Sequence, residues 1–352
     1  MMPKISITAD RNYDVLVDVD WREALKPHLV NRGQVAIIVS EAMRDRISDL
    51  PQTDAEIHIF TIPDSEAGKS FATYQKVLDW LGAAGFTRND LIVAVGGGAV
   101  TDLSGFVASS WLRGIDWVAV PSTLAAMVDA AIGGKTGINS EYGKNLIGAF
   151  YSPITVLIDL HWLSTLSDRD FAAGLAEVLK SGFIADSQIV ELLRDKEISE
   201  VRSNTALTLE LISRTVSVKA KVVSGDFRES FDREILNYGH TLGHAIELQS
   251  KFSLRHGECV SIGLVFAAEL ANQVGVLSNE IANLHKEILK RLGLPVTYKL
   301  EVWPELRASM SIDKKSRSGS LRFVAISEIG KTLRIESPSE SDLLAAYERL
   351  CS

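Results

Sequence analysis

The chain has 352 residues, 46% hydrophobic and 23% charged, with a formal net charge of −8. That length allows two domains with cores of their own, and that composition excludes a disordered or low-complexity chain. The acidic balance excludes nucleic acid as the main partner, although a local basic pocket can still hold an anion.

Met1 to Ser6 lack an apolar core segment, so no secretory signal is expected. Short β-branched runs follow at Val35–Val39 and Glu56–Phe60. Leu91–Val95 is a continuous apolar run that ends at Gly96, Gly97 and Gly98, and Trp117–Val120 ends at Pro121. Thr155–Ile158 closes the series. Short apolar strands with helical stretches between them predict a parallel sheet covered on both faces. The most apolar stretch, 117–134, is interrupted by Pro121, Ser122, Thr123 and Asp129, so no membrane span is expected.

After Asp159 the texture changes to helical periodicity, at Ala172–Ile184, Thr205–Val223, Glu258–Val274 and Ile281–Leu292. Gly293-Leu294-Pro295 stops the last of these, and Leu321–Ile326 reads as one short strand. The expected fold is α/β. A Rossmann-like parallel-sheet domain spans 1–160, and a mainly α-helical domain spans 161–352. Cys259 and Cys351 are the two cysteines, which suits a reducing compartment, so the protein is expected in the cytoplasm.

Two places carry chemistry. Gly96-Gly97-Gly98-Ala99-Val100-Thr101-Asp102 lies between a strand and a helix, where backbone approaches a pyrophosphate and a helix N-terminus favours its charge. Thr101 stands where the third glycine of the usual dinucleotide pattern belongs, so alone the turn also fits a plain connection. Gly133-Gly134-Lys135-Thr136 imitates a phosphate-binding P-loop, but Asp129 occupies the position of its first glycine, which rejects a nucleotide triphosphatase. Lys135, Lys144 and Asn145 nevertheless gather phosphate-holding donors in a glycine-rich region.

The second place is a set of candidate metal ligands. His240 and His244 are four apart and share a helix face, His256 follows, and Glu177 lies upstream, three residues before Lys180. Such a set can hold a metal with an open position, and each histidine also fits a hydrogen-bonded core residue. Thr241 after His240 excludes the zinc-protease pattern.

Taken together, 96–106, 120–124, 128–139, 143–151, 176–180, 236–247, 256–258 and 313–315 resemble the 3-dehydroquinate synthases, within the sugar-phosphate cyclases. The resemblance runs from Gly96 to about Gly330. It implies conversion of 3-deoxy-D-arabino-heptulosonate 7-phosphate to 3-dehydroquinate and phosphate, by transient oxidation, phosphate elimination, re-reduction and aldol closure. It implies NAD, a divalent metal (zinc, with cobalt as the alternative), and a homodimer acting on a phosphorylated sugar acid.

Residue roles follow from the same resemblance. Glu177, His240 and His256 hold the metal, and His244 lies on the substrate side. Lys219 and Arg233 hold the substrate carboxylate, with Glu229 orienting them. Lys135, Asn145, Asn237, His244 and Lys314 form the phosphate set, and Arg113 comes from the partner subunit. Asp129 and Lys180 face substrate hydroxyls and the cofactor. NAD is assigned Glu66, Lys69, Gly97, Gly98, Asp102, Ser122, Thr123, Lys135, Lys144 and Thr165. Val39–Met43 lacks the Asp and Asn usual near the adenosine ribose, and Phe227 interrupts an acidic run that retains Glu229. Rivals are a cyclase for another sugar phosphate, such as the amino-dehydroquinate type, a metal-dependent polyol dehydrogenase, and a catalytically inactive binding protein on this fold, against which the intact ligand residues speak.

Overall fold

The computed structural model describes residues 3–229, 231–316 and 321–352, with backbone only for 311–316. The chain divides into two compact units. Met1–Leu166 with Lys219–Arg228 form the first, and Ser167–Val218 with Glu229–Ser352 form the second. The break therefore falls after Leu166 rather than 160, and the first unit also takes a later piece of chain.

The first unit is built on a seven-stranded sheet. In chain order its elements are β1 (Lys4–Ile7), β2 (Tyr13–Val17), α1 (Trp21–Leu29), β3 (Gln34–Ser40), β4 (Glu56–Ile62), α2 (Phe71–Ala83), β5 (Leu91–Gly96), α3 (Gly98–Ser110), β6 (Asp116–Pro121), β7 (Lys135–Ser140), β8 (Gly143–Phe150) and β9 (Thr155–Ile158). The sheet order is β1-β2-β9-β6-β5-β3-β4. Every residue of β5 and β9 is buried, as a strand covered on both faces requires. All neighbours pair in parallel except β1, which runs antiparallel to β2.

β1 and β2 carry little of the continuous apolar signal. In β2 Tyr13, Val15 and Val17 alternate with Asp14 and Leu16, so the strand reads with period two. The glycine-rich region around Lys135 and Lys144 is also more ordered than its composition suggests. It forms a separate antiparallel hairpin, β7–β8, in which Gly137 faces Gly148. A Cβ on Gly148 would come within 2.2 Å of the Thr136 carbonyl oxygen, so glycine there permits close pairing rather than a loop.

The second unit contains α4 (Asp168–Ala185), α5 (Ser187–Leu193), α6 (Ile198–Ser203), α7 (Thr205–Gly225), α8 (His240–Gln249), α9 (His256–Gln273), α10 (Asn279–Arg291), α11 (Trp303–Ser316), the hairpin strands β10 (Arg322–Glu328) and β11 (Lys331–Glu336), and α12 (Glu340–Cys351). α7 is divided at Val218, its last residues falling in the first unit. Buried residues run unbroken through 171–184 of α4 and 257–271 of α9. Helices buried all round form the centre of a helical unit. α9 packs against α4, α8, α10 and α12. Among the described residues no helix is long and apolar enough to cross a membrane.

Candidate functional site

Three helices of the second unit each deliver one ligand atom to a common point. Glu177 sits within α4, His240 opens α8 and His256 opens α9. One side-chain donor atom from each lies within 4.8 Å of the others. Glycine makes the convergence possible. A Cβ on Gly257 would stand 1.8 Å from the carbonyl oxygen of Ala173, one turn before Glu177. A Cβ on Gly263 would stand 1.9 Å from the carbonyl oxygen of Gly239. Gly239 itself turns the chain into α8 with φ of 79°, in the left-handed region. The histidine spacing is plain in the sequence; these backbone approaches are signalled there only by glycines inside apolar helices, which mark close packing.

The start of α9 is also held by charge. Arg169 donates two hydrogen bonds to Glu258, at 2.5 and 2.7 Å, and the Glu258 carboxylate accepts from the Arg255 amide at 2.8 Å. Arg255 in turn pairs with Asp170. The helix turn that presents His256 is thereby fastened to α4.

Glu177 is 1% exposed, and neither of its carboxylate oxygens accepts a hydrogen bond of good geometry. The Lys180 ammonium is in ion-pair contact with one oxygen. The other lies 3.3 Å from His256 Nε2 and 3.6 Å from His240 Nε2. Those separations match the edge of a tetrahedron with bonds of about 2.0–2.1 Å, roughly 3.4 Å. Burial opposes ionisation of Glu177, but Lys180 and the two imidazoles hold its carboxyl well below the usual range. Burial and Lys180 hold His240 well below its usual value, which keeps it a neutral donor. Burial also opposes charge on His256, yet Glu177 and Glu247 push it up to about 10. A site that draws a proton this strongly, with a buried carboxylate lacking hydrogen bonds, is chemically suited to a divalent cation. His244 is exposed on the same helix as His240, its ring 5.3 Å from that of His240 and 6.2 Å from that of His256.

In the first unit the glycine turn joins β5 to α3. Gly97 caps α3 with extended backbone and no side-chain hydrogen bond. A Cβ on Gly96 would strike Val100 at 2.5 Å, and one on Gly98 would meet Ala130 at 3.0 Å. The Ser122 amide donates to the Gly96 carbonyl at 2.9 Å, which sets the end of β6 beside that of β5. A bare helix N-terminus at adjacent parallel strand ends fits a pyrophosphate. Behind it, buried Lys69 donates to Asp102 at 2.6 Å and also to Asn145, while Glu66 pairs with Lys144 at 3.2 Å and accepts from Asn139 at 2.7 Å. Burial pushes the Asp102 carboxyl up even though Lys69 opposes it.

Comparison with known proteins bears on both places. A family model described as the 3-dehydroquinate synthase N-terminal domain matches residues 59–173, and one for the C-terminal domain matches 174–316. The chain is 45% identical to the 3-dehydroquinate synthase of Corynebacterium diphtheriae, covering 99% of each. It is 50% identical to that of Nocardia farcinica over 88% of this chain and 83% of the other. The chain belongs to the 3-dehydroquinate synthase family.

Solved structures of related cyclases share its fold. A 2-epi-5-epi-valiolone synthase from Streptomyces hygroscopicus subsp. jinggangensis, solved with NAD+ and Zn2+, matches with TM-score 0.89, 27% identity and 98% of each chain. A 2-deoxy-scyllo-inosose synthase solved with carbaglucose-6-phosphate, NAD+ and Co2+ matches with TM-score 0.84 and 25% identity, over 98% of this chain and 99% of that one. An iron-containing alcohol dehydrogenase, at 15% identity and TM-score 0.68, shares the fold.

The remaining residues assigned by resemblance to the 3-dehydroquinate synthases are distributed as follows. Asp129 lies in a π-helical turn, 126–130, and its carboxylate and backbone carbonyl accept from the buried Lys219 ammonium. Thr123 spends its hydroxyl on the Ala126 amide, 3.2 Å away. Ser122 is buried beside the turn. Lys135 is exposed at the start of the hairpin. Thr165 donates to the Trp162 carbonyl at 2.7 Å. Arg113 is exposed, with φ of 66°, at the end of a short helical turn. In the second unit Arg233 is 2% exposed, and Glu229 accepts from Asn237 at 2.9 Å. The side chain of Lys314 lies outside the described residues.

Proposed function

We propose that this chain acts as a 3-dehydroquinate synthase, eliminating phosphate from 3-deoxy-D-arabino-heptulosonate 7-phosphate and closing the product ring. The observation that carries the reading is the convergence of Glu177, His240 and His256 in a chain of this family. When bound, NAD supplies a reversible hydride acceptor and the metal supplies Lewis acidity at the hydroxyl that is oxidised.

The protein side chains bind and orient. Glu177, His240 and His256 are the metal set, with zinc the ion that their carboxylate and imidazole donors favour and cobalt the alternative. Gly97 and Gly98 admit the dinucleotide, with Glu66, Lys69, Asp102, Ser122, Thr123, Lys135, Lys144 and Thr165 around it. Lys135, Asn145, Asn237, His244 and Lys314 hold the phosphate by ammonium, amide and imidazole donors. Lys219 and Arg233 hold the carboxylate. Asp129 keeps the Lys219 ammonium in place, and Glu229, through Asn237, orients its neighbours. The departing phosphate takes the proton released in the elimination, so no separate protein base is required.

The working form is a homodimer in which Arg113, exposed at its turn, reaches the partner's site. Cys259 and Cys351, which form no disulfide, support a reducing, cytoplasmic setting. Incubation of purified protein with the heptulosonate phosphate, NAD and Zn2+ tests the reading. Phosphate and dehydroquinate should form with no net NADH. Absence of both products rejects it, and steady NADH accumulation points instead to a polyol dehydrogenase.

A further inference from the structure

Glu247, on the α8 helix that His240 opens, is 3% exposed and lies outside the residues proposed to hold substrate, NAD or metal. Its Oε1 lies 2.9 Å from Nδ1 of His256. The other nitrogen of that ring, Nε2, faces the Glu177 carboxylate at 3.3 Å. A neutral imidazole has one N–H and one lone pair, and an ionised carboxylate can only accept. In the neutral ring that a metal requires, Glu247 therefore keeps the proton on Nδ1 and leaves the Nε2 lone pair to face the cluster.

His240 shows the same arrangement with a weaker partner. Its Nδ1 lies 3.1 Å from the Tyr238 carbonyl oxygen, and its Nε2 lies 3.6 Å from Glu177. A backbone carbonyl is neutral and is held by the turn through Gly239. A carboxylate gives a charge-assisted bond of about twice the strength, and it also raises the basicity of the ring it holds. The two imidazoles are thus oriented by unequal means, and that of His256 depends on a side chain.

We propose that Glu247 is a positioning residue, which fixes the tautomer and ring direction of His256 and thereby sets how tightly the cluster holds its metal. This rests on the metal reading given above. Glu247 also lies within reach of His244 and His256 as a second possible ligand group, but its contact to His256 uses the nitrogen opposite the one that faces Glu177.

The test is metal binding, measured without turnover. Metal-stripped wild type, Glu247→Gln and Glu247→Ala are titrated with Zn2+ against a chromophoric chelator, and NAD binding is recorded for each. Wild type should take one ion per chain. Glu247→Ala should bind it about 10- to 100-fold more weakly. Glu247→Gln keeps an acceptor oxygen without the charge, so it should fall between the two, and its isosteric side chain guards against a misfolded alanine variant. With Co2+, the visible absorption bands of both variants should shift from those of wild type, reporting an altered ligand field. Zinc affinities of both variants within twofold of wild type would overturn the proposal. So would two ions per wild-type chain, with Glu247 then a ligand. A wild type that binds no zinc overturns the metal reading itself and this inference with it.

Discussion

The glycine turn of the first unit, proposed for the nucleotide, is made of backbone, whereas the cluster of the second is made of side chains brought together by backbone. At Gly96–Gly98 a strand ends, a helix begins, and the surface proposed for the dinucleotide is the peptide N–H groups themselves. Nearby side chains such as Lys69 and Asp102 already satisfy one another. At Glu177, His240 and His256 the donors come from three helices, and their meeting depends on Gly257 and Gly263 admitting contact at less than 2 Å from a would-be Cβ. A turn of local origin tolerates small changes in packing. A cluster of long-range origin does not, because any shift of one helix moves one ligand away from the other two.

The sharpest way to break that contrast is to remove a ligand. His256→Ala should lower phosphate release by about a thousandfold or more while NAD binding persists, since Lewis acidity supplies several kcal/mol and each 1.36 kcal/mol is tenfold. Steady-state assay with metal analysis checks this, and normal turnover without metal in the variant would contradict the assignment. Next in size is Gly257→Ala. Its methyl would fall on the Ala173 carbonyl, a backbone atom that no rotamer change removes, so stability should drop by about 3 kcal/mol or more and bound metal should fall with it. Urea unfolding and metal content measure the two together.

Acid probes the support behind the cluster. His285 is fully buried, accepts from or donates to the Tyr238 hydroxyl at 2.9 Å through Nε2, and stacks on Phe183 with centroids 3.5 Å apart. Burial pushes it down to about 4 from 6.5, against a weaker pull from the Ile281 carbonyl. The unfolded chain takes up this proton near 6.5 and the folded one near 4. Its contribution is therefore complete above that window and is lost as pH falls through it, by about 2 kcal/mol between pH 7.5 and pH 5. His285→Gln should flatten the pH dependence of the urea midpoint over that range. An unchanged slope would remove His285 as its source.

The smallest effect belongs to the first unit. At Gly97 an added Cβ meets Thr123 at 3.2 Å, a side chain that can yield slightly. Gly97→Ala should weaken NAD by up to about tenfold, through loss of close backbone approach, with stability changed by less than about 1 kcal/mol. Fluorescence titration and a thermal melt check it. A stability loss equal to that of Gly257→Ala would erase the distinction between the two places.

The central strands were legible because they are buried on both faces. Leu91–Val95 and Thr155–Ile158 are continuous apolar runs, and β5 and β9 match them within a residue. β1 and β2 were not, because an alternating edge segment containing Lys4 and Asp14 looks like surface chain until a neighbour covers one face. The β7–β8 hairpin escaped for a related reason. Its glycines signal a loop in isolation, and only pairing across Gly137 and Gly148 shows why side chains are excluded. For the site, the histidine spacing singled out candidates, but spacing favoured His240 with His244. The resemblance assigned His240 with Glu177 and His256 instead, and the packing of α4, α8 and α9 brings those three together while leaving His244 exposed.

The amino-acid sequence by itself determined the parallel sheet, the change to helices after Asp159, the glycine turn and the family to which the chain belongs, since these rest on local periodicity and on motifs that are contiguous in the chain. The tertiary structure decided how the three donors assigned by resemblance meet, which ring nitrogen each histidine presents, and that Glu247 stands behind His256. Apart from the Tyr238 carbonyl that faces His240, those depend on contacts between residues from about ten to eighty positions apart, where the direction of a side chain follows from helix packing and not from its neighbours in sequence.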